Sequence, residues 1–312
     1  SKKNIFAFLI GITAIALLCC ISRWPEFFAF AANKEVSTLE RLLAMPVHLD
    51  DDVMISFRTG SILEQMGYPA FNRHDLAQPS TSYLAPYLFA LLAKIFPINL
   101  AVLMYAILGL FSVGATMAII YLSSRSTLNA LILIVLLLFS TTTREFALNG
   151  WDHLFQALFL ALAASLFLSN HLNRFTLLAV SLCLAISCLW RPDSALFALA
   201  ILTCEFIEIS RKQDWFVFGI LPFASILFPF ILHNIIIFGH ATPTTSRLKL
   251  GASPTFDYSI QYLFNNGILQ FSAISIVLIL GFIYFYYLAK IGNPRSHTLA
   301  FSAILTSLIA AF

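Results

Sequence analysis

Apolar runs closed by short polar breaks follow one another along most of this chain, and that pattern removes nearly every soluble fold from consideration. The runs fall at about 5–22, 83–98, 100–122, 128–140, 153–169, 175–190, 194–209, 216–238, 268–289 and from 298 onward. A helix crosses a bilayer with about 20 apolar residues, and shorter ones are tolerated inside a crowded bundle. Of the 312 residues 60% are hydrophobic and only 11% charged, with 31 Phe, a balance outside that of soluble domains. The expected class is all-α, a polytopic membrane helical bundle in contact with lipid on all sides. A net charge of +3 spread over scattered Lys and Arg offers no basic stripe or aromatic-basic platform, which argues against a nucleic-acid partner. Cys19, Cys20, Cys183, Cys188 and Cys204 all lie in apolar runs and read as small buried hydrophobes, not as a disulfide framework or a metal site.

The opening Lys2-Lys3 and apolar run resemble a signal peptide. The run ends in Cys19-Cys20-Ile21-Ser22-Arg23-Trp24-Pro25 without a small-residue cleavage site, so an uncleaved first transmembrane helix is expected. Residues 23–82 form the longest polar segment, a loop with short helices lying on the bilayer surface. Loop charge decides whether 83–98, about 16 residues broken by Pro86 and closed by Pro97, crosses the membrane. If it does not, Lys2, Lys3, Arg125, Arg174, Arg211, Lys212, Lys290 and Arg295 gather on one side, which the positive-inside rule makes the cytoplasm. If it does, the later loops invert and the rule fails. A re-entrant or juxtamembrane helix is therefore expected at 83–98, with eight full crossings and a ninth beginning near 298. The first extracytoplasmic loop then extends over about 23–98 and a second large outer loop over about 239–266.

Every polar cluster with chemical potential then lands on the outer face. The first is Asp50-Asp51-Asp52 with Arg58, where an ionised Asp can act as a general base toward a hydroxyl and a nearby guanidinium favours the ionised form. An acidic solvated loop with a surface salt bridge is the plain alternative. The second joins Thr141-Thr142-Thr143-Arg144-Glu145 to Asn149-Gly150-Trp151-Asp152-His153; an acid at a membrane boundary is costly unless partnered or wet, and His153 fits an interfacial histidine as well as a catalytic one. The third, Trp190-Arg191-Pro192-Asp193, is a polar break so short that Arg and Asp suggest a fixed ion pair or a ligand contact. Asp193 there also suits the cap of the next helix. The fourth, Thr242-Pro243-Thr244-Thr245-Ser246-Arg247-Leu248-Lys249, offers the cations and hydroxyls that a lipid phosphate needs, or that anionic headgroups in general attract.

Cations beside carboxylates at one lipid-facing surface, with no nucleotide-binding motif in the chain, suit transfer of a sugar from a lipid phosphate. Departure of the phosphate requires cations for its growing charge, and the attacking hydroxyl requires a base. The run Asp51-Asp52-Val53-Met54-Ile55-Ser56-Phe57-Arg58, then Gly67-Tyr68-Pro69-Ala70-Phe71-Asn72 and Thr81-Ser82-Tyr83-Leu84, resembles the D-D-A-[FY]-I-[ST]-[FY]-R, G-x-x-x-x-N and Y-T-S-P-L-W elements of bacterial GT-C glycosyltransferases of the mycobacterial arabinofuranosyltransferase type. Asn149-Gly150-Trp151-Asp152, Arg191-Pro192-Asp193 and Pro243 to Lys249 resemble that family's G-[LM]-[ED], R-P-[ED] and P-N-T-x-x-x-K elements in the same order. Val53, Trp151 and Thr244 depart from it, and Ala85-Pro86 displaces its proline.

The resemblance implies one GT-C module over residues 1–312, a stretch that does not include the family's soluble C-terminal domain, in a bacterial plasma membrane with its site facing the extracytoplasmic side. It implies an inverting glycosyltransferase with a polyprenyl-phosphate sugar as donor and an envelope glycan or glycolipid as acceptor. Asp51 or Asp52 is then the base, and Arg191, Arg247 and Lys249 hold the donor phosphate. Arg58, Asp152, Asp193 and Thr245 complete the expected substrate-binding set. No particular cofactor is implied, and a divalent cation is an open expectation: some GT-C enzymes use one and others do not, and the motifs do not choose. The competing expectation is a transporter or flippase, which would place ionisable residues mid-span and break its helices near the bilayer midplane.

Overall fold

The computed structural model describes residues 2–21, 51–70, 80–123, 127–139, 152–168, 173–209 and 211–239. These are almost wholly helical and contain no strand. The helices are α1 (Lys2–Ile21), α2 (Asp51–Met66), α3 (Leu84–Ile95), α4 (Ile98–Ser123), α5 (Thr127–Phe139), α6 (His153–Phe167), α7 (Arg174–Trp190), α8 (Ser194–Glu208) and α9 (Lys212–Trp215), a π-helical turn (Phe216–Ile220), and α10 (Leu221–Phe238). Two stretches are long and apolar enough to cross a membrane, Leu100–Ser123 and Lys212–Phe238, and several others are apolar but shorter. The expected spans at 268–289 and from 298, and most of the 239–266 loop, lie outside the described residues.

The sequence explains where the helices stop. Asn173 accepts a hydrogen bond from the Thr176 amide at 2.9 Å and caps α7, the usual service of an N-cap Asn. Ser82 accepts from the Ala85 amide at 3.0 Å and opens α3. Gly67 (φ 78°) and Gly239 (φ 75°) close α2 and α10 in the left-handed region, where a Cβ would be strained. At each, the glycine amide donates four residues back, to Leu63 and Ile235. The rod from Lys212 to Phe238 widens at the π turn, where the Leu221 amide reaches back five residues to the Phe216 carbonyl. Pro222, next in sequence, has no amide of its own to donate. The buried Ser181 hydroxyl donates to the Gly219 carbonyl at 2.7 Å, fixing the turn against α7.

Pairing is antiparallel between α1 and α4, where Lys3 Nζ donates to the Leu122 carbonyl and Gly11 lies on Gly114. The same holds for α6 and α7, joined by Phe155 with Trp190 at one end and packed in one cluster that includes Ala163 and Val180 further along. One end of the bundle therefore carries Lys3, Ser123, Ser165, Arg174 and Lys212–Asp214, with Ser123 bonded to Ser165 and Arg174 paired to Asp214 at 3.0 Å. The other end carries α2, Tyr83, Asp152, Arg191–Ser194 and Asn234. The polar breaks that loop charge assigns to one face thus fall at one end wherever they are described. Helix α3 does not run the length of the bundle: its 12 residues extend about 18 Å, its first residues meet the end of α7 through the Tyr83 amide and the Leu189 carbonyl, and its last lead through Pro97 directly into α4.

The contact between α1 and α4 is backbone on backbone. A Cβ at Gly11 would stand 2.9 Å from the Gly114 carbonyl oxygen, and one at Gly114 would stand 3.0 Å from that of Gly11 and 2.7 Å from Ile15. Small residues allow such an approach between apolar helices. Gly11→Val should therefore lower stability by about 1–3 kcal/mol, the range for overpacking, read as a drop in the thermal midpoint of the purified protein. An unchanged midpoint would mean that the two helices do not approach so closely.

Candidate functional site

Three charges meet where three helix ends meet. Asp152 stands at the N-terminus of α6, Arg191 at the C-terminus of α7 and Asp193 at the N-terminus of α8. Each sits at the end whose dipole favours its sign. Arg191 Nη1 lies 3.4 Å from Asp152 Oδ1 and its Nε 3.3 Å from Asp193 Oδ2. Both aspartates occupy N-cap positions, yet neither side chain caps its helix. The capping role open to Asp193 from sequence is therefore not taken; its carboxylate turns to the guanidinium and to a buried amide instead. That amide is Gln156, whose Nε2 donates to Asp193 Oδ1 at 2.9 Å and to Ser194 Oγ at 2.7 Å. His153 Nδ1 approaches Asp152 Oδ1 to 3.3 Å. The Asp152 side chain is 10% exposed, Arg191 20% and Asp193 39%, so the cluster is dry on the α6 side and open on the α8 side.

Beneath the charges runs a line of aromatic rings. Trp190 stacks on Phe155 (4.3 Å between centroids, 12° between planes), Phe155 meets Tyr105 edge-on at 5.4 Å, and Tyr105 meets Phe57 at 5.0 Å. Phe57 in turn stacks on Phe89 at 4.3 Å. These five rings tie α7, α6, α4, α2 and α3 together immediately below Asp152 and Arg191. They hold the N-terminal half of α2 at the same end as the charge cluster. Ser56 reinforces the attachment through a 2.8 Å bond to Ser80, and the Pro86 carbonyl and Phe89 crowd the face of Gly60.

Asp51 and Asp52 are the first two residues of α2, a position where the helix dipole favours carboxylates; their side chains lie outside what is described. Arg58 is exposed on the same helix. Its separation of seven residues from Asp51 and six from Asp52 is about 10 Å of helix rise, beyond the three- or four-residue spacing at which helix neighbours meet. Thr245, Arg247 and Lys249 lie outside the described residues, as do Thr141 to Trp151. Among the expected residues, the structure thus joins Asp152, Arg191 and Asp193 and carries Asp51 and Asp52 on a helix bound to the same end.

Sequence reasoning did not single out Gln156, Ser194, Tyr105 or Asn234. Gln156 lies one turn beyond Asp152 in an apolar helix, a spacing that puts both on one face, and this was the available signal. Asn234 is buried in α10 against the start of α3. The Tyr83 side chain is its hydrogen-bond partner, and burial pushes the Tyr83 phenol above its usual value.

Removing Arg191 would leave two close carboxylates without their shared cation. Arg191→Met should cost about 3–5 kcal/mol, the range for breaking a buried pair from one side. Asp152→Asn in the same chain should recover a large part, giving a coupling energy well above zero in a double-mutant cycle. Strictly additive effects would mean that the two side chains do not interact.

No family model, curated protein or solved structure matches this chain.

Proposed function

We propose that the protein is a membrane-embedded inverting glycosyltransferase of the GT-C type, which takes a sugar from a polyprenyl-phosphate donor and passes it to an envelope glycan or glycolipid on the extracytoplasmic side. The observation that carries the reading is the gathering of Asp152, Arg191 and Asp193 at the end of the bundle where the aromatic line also secures α2, the helix that opens with Asp51 and Asp52. On this reading one of those two aspartates removes the proton from the acceptor hydroxyl as it attacks the anomeric carbon. The bond from that carbon to the phosphate oxygen breaks with inversion, and cations, Arg247 and Lys249 among them, take up the charge of the departing phosphate. The basic end of the bundle faces the cytoplasm. There Lys212 lies over the Phe206 ring at 4.2 Å and Arg174 over Phe218 at 5.6 Å, as anchors at a membrane interface do.

One observation favours the transporter reading. Glu205 is fully buried in α8, its carboxylate beside Gly219 of the π turn, and a buried acid next to an irregular helix is what a coupled transporter would use.

Asp51→Asn and Asp52→Asn preserve shape and remove basicity. With a panel of polyprenyl-phosphate sugars and envelope acceptors, the variant lacking the base should lose about two or more orders of magnitude in turnover with donor affinity little changed. Asp51 is the favoured base, being the first of the pair. If wild type consumes no donor while a polar substrate crosses liposomes containing it, the transporter reading replaces this one.

A further inference from the structure

We infer that the Asp152–Arg191–Asp193 cluster binds the hydroxyls of the transferred sugar and not the phosphate of its carrier, an assignment that rests on the glycosyltransferase reading. It moves Arg191 away from the phosphate role that the motif resemblance gives it. The reason is charge. One guanidinium and two carboxylates within 3.4 Å sum to −1 (+1 − 2), and a protonated His153 at 3.3 Å from Asp152 would bring the sum only to zero. With both aspartates ionised, the group never presents a net positive charge to an anion, and like charge at short range is repulsive.

A neutral polyol fits the same atoms. Carboxylate oxygens accept from sugar hydroxyls, while guanidinium and amide groups donate to hydroxyl oxygens. Asp193 is the open member, with its side chain 39% exposed, and Gln156, itself bonded to Ser194, holds it from behind, so a hydroxyl can reach its remaining lone pairs. The buried Asn234 amide at the same end is bonded to the Tyr83 side chain, and the Tyr83 backbone amide donates to the Leu189 carbonyl two residues before Arg191.

Two lipids separate the alternatives: a polyprenyl phosphate without sugar and the same lipid carrying one sugar, each titrated against the full chain in nanodiscs. Asp193→Asn should weaken binding of the sugar-bearing lipid by tenfold or more and leave the bare phosphate unchanged. The affinity difference between the two lipids in wild type should persist from low to high salt, because hydroxyl contacts are not screened as ion pairs are. Tighter or weaker binding of the bare phosphate by the variant, or an unchanged grip on the sugar-bearing lipid, would overturn the inference while leaving the transferase reading intact. Failure of wild type to bind either lipid would instead overturn the transferase reading and this inference with it. Should Asp193→Asn not fold, Gln156→Met, which keeps all three charges and releases Asp193 from its amide, is expected to show the same selective loss at several-fold; no loss, or equal loss of both lipids, counts against the assignment.

Discussion

Two carboxylates held close together in a partly dry setting need a shared cation, and the position of Arg191 between Asp152 and Asp193 is the constraint on which the site-bearing end depends. Unit charges 4 Å apart interact by about 4 kcal/mol at the effective dielectric of a protein surface, enough to fix the mutual positions of three helix ends. The helix dipoles act in the same sense, because both aspartates stand at N-termini and the arginine at a C-terminus. Pro192 makes the arrangement local: α7 and α8 are joined by Arg191, Pro192 and Asp193 alone, so two of the three charges are delivered by one turn. Asp152 is the distant member, and α6 brings it in by packing antiparallel to α7.

The aromatic line below the charges transmits this geometry. Ring pairs with centroids 4.3 to 5.4 Å apart lie in the range where stacking and edge contacts add to the gain from burial. A side chain from each of five helices takes part, so displacing any one of them disturbs the others. Helix α2 packs along α3, with Gly60 against Pro86 and Phe89, and Phe57 and Ser56 add the ring contacts and the bond to Ser80 that hold it at the end carrying the ion cluster. The opposite end is built differently. Its charges are mostly exposed, paired singly or laid over aromatic rings, and they contribute little to stability. Glu205 is the exception, lying inside the packing of α8 against the π turn.

Much of the helical layout was legible in the residues. Apolar runs located α4, α6, α7 and α8 to within about two residues, because Asn173, Pro97 and the Arg191–Asp193 break are strong local punctuation. The apolar run at 83–98 forms the short helix α3, and Pro97 leads from it directly into α4. The Lys212 start of the last rod was less legible: Lys212 and Asp214 read as a polar break, whereas the helix begins there and uses both as its first turn.

The sequence by itself determined that the chain is helical and apolar, where its helices end, and that Arg191 and Asp193 stand together, because each of these follows from local periodicity and from residues a few positions apart. Only the tertiary structure decided which distant groups complete the site. Asp152 is 39 residues from Arg191 and Gln156 is 37 from Asp193, and no local pattern encodes a contact over such separations. The choice of Asp193 to face Arg191 and Gln156 instead of capping α8 has the same origin: an exposed cap bond and a charge-assisted bond compete for one carboxylate, and the charged partner wins once packing brings it within reach.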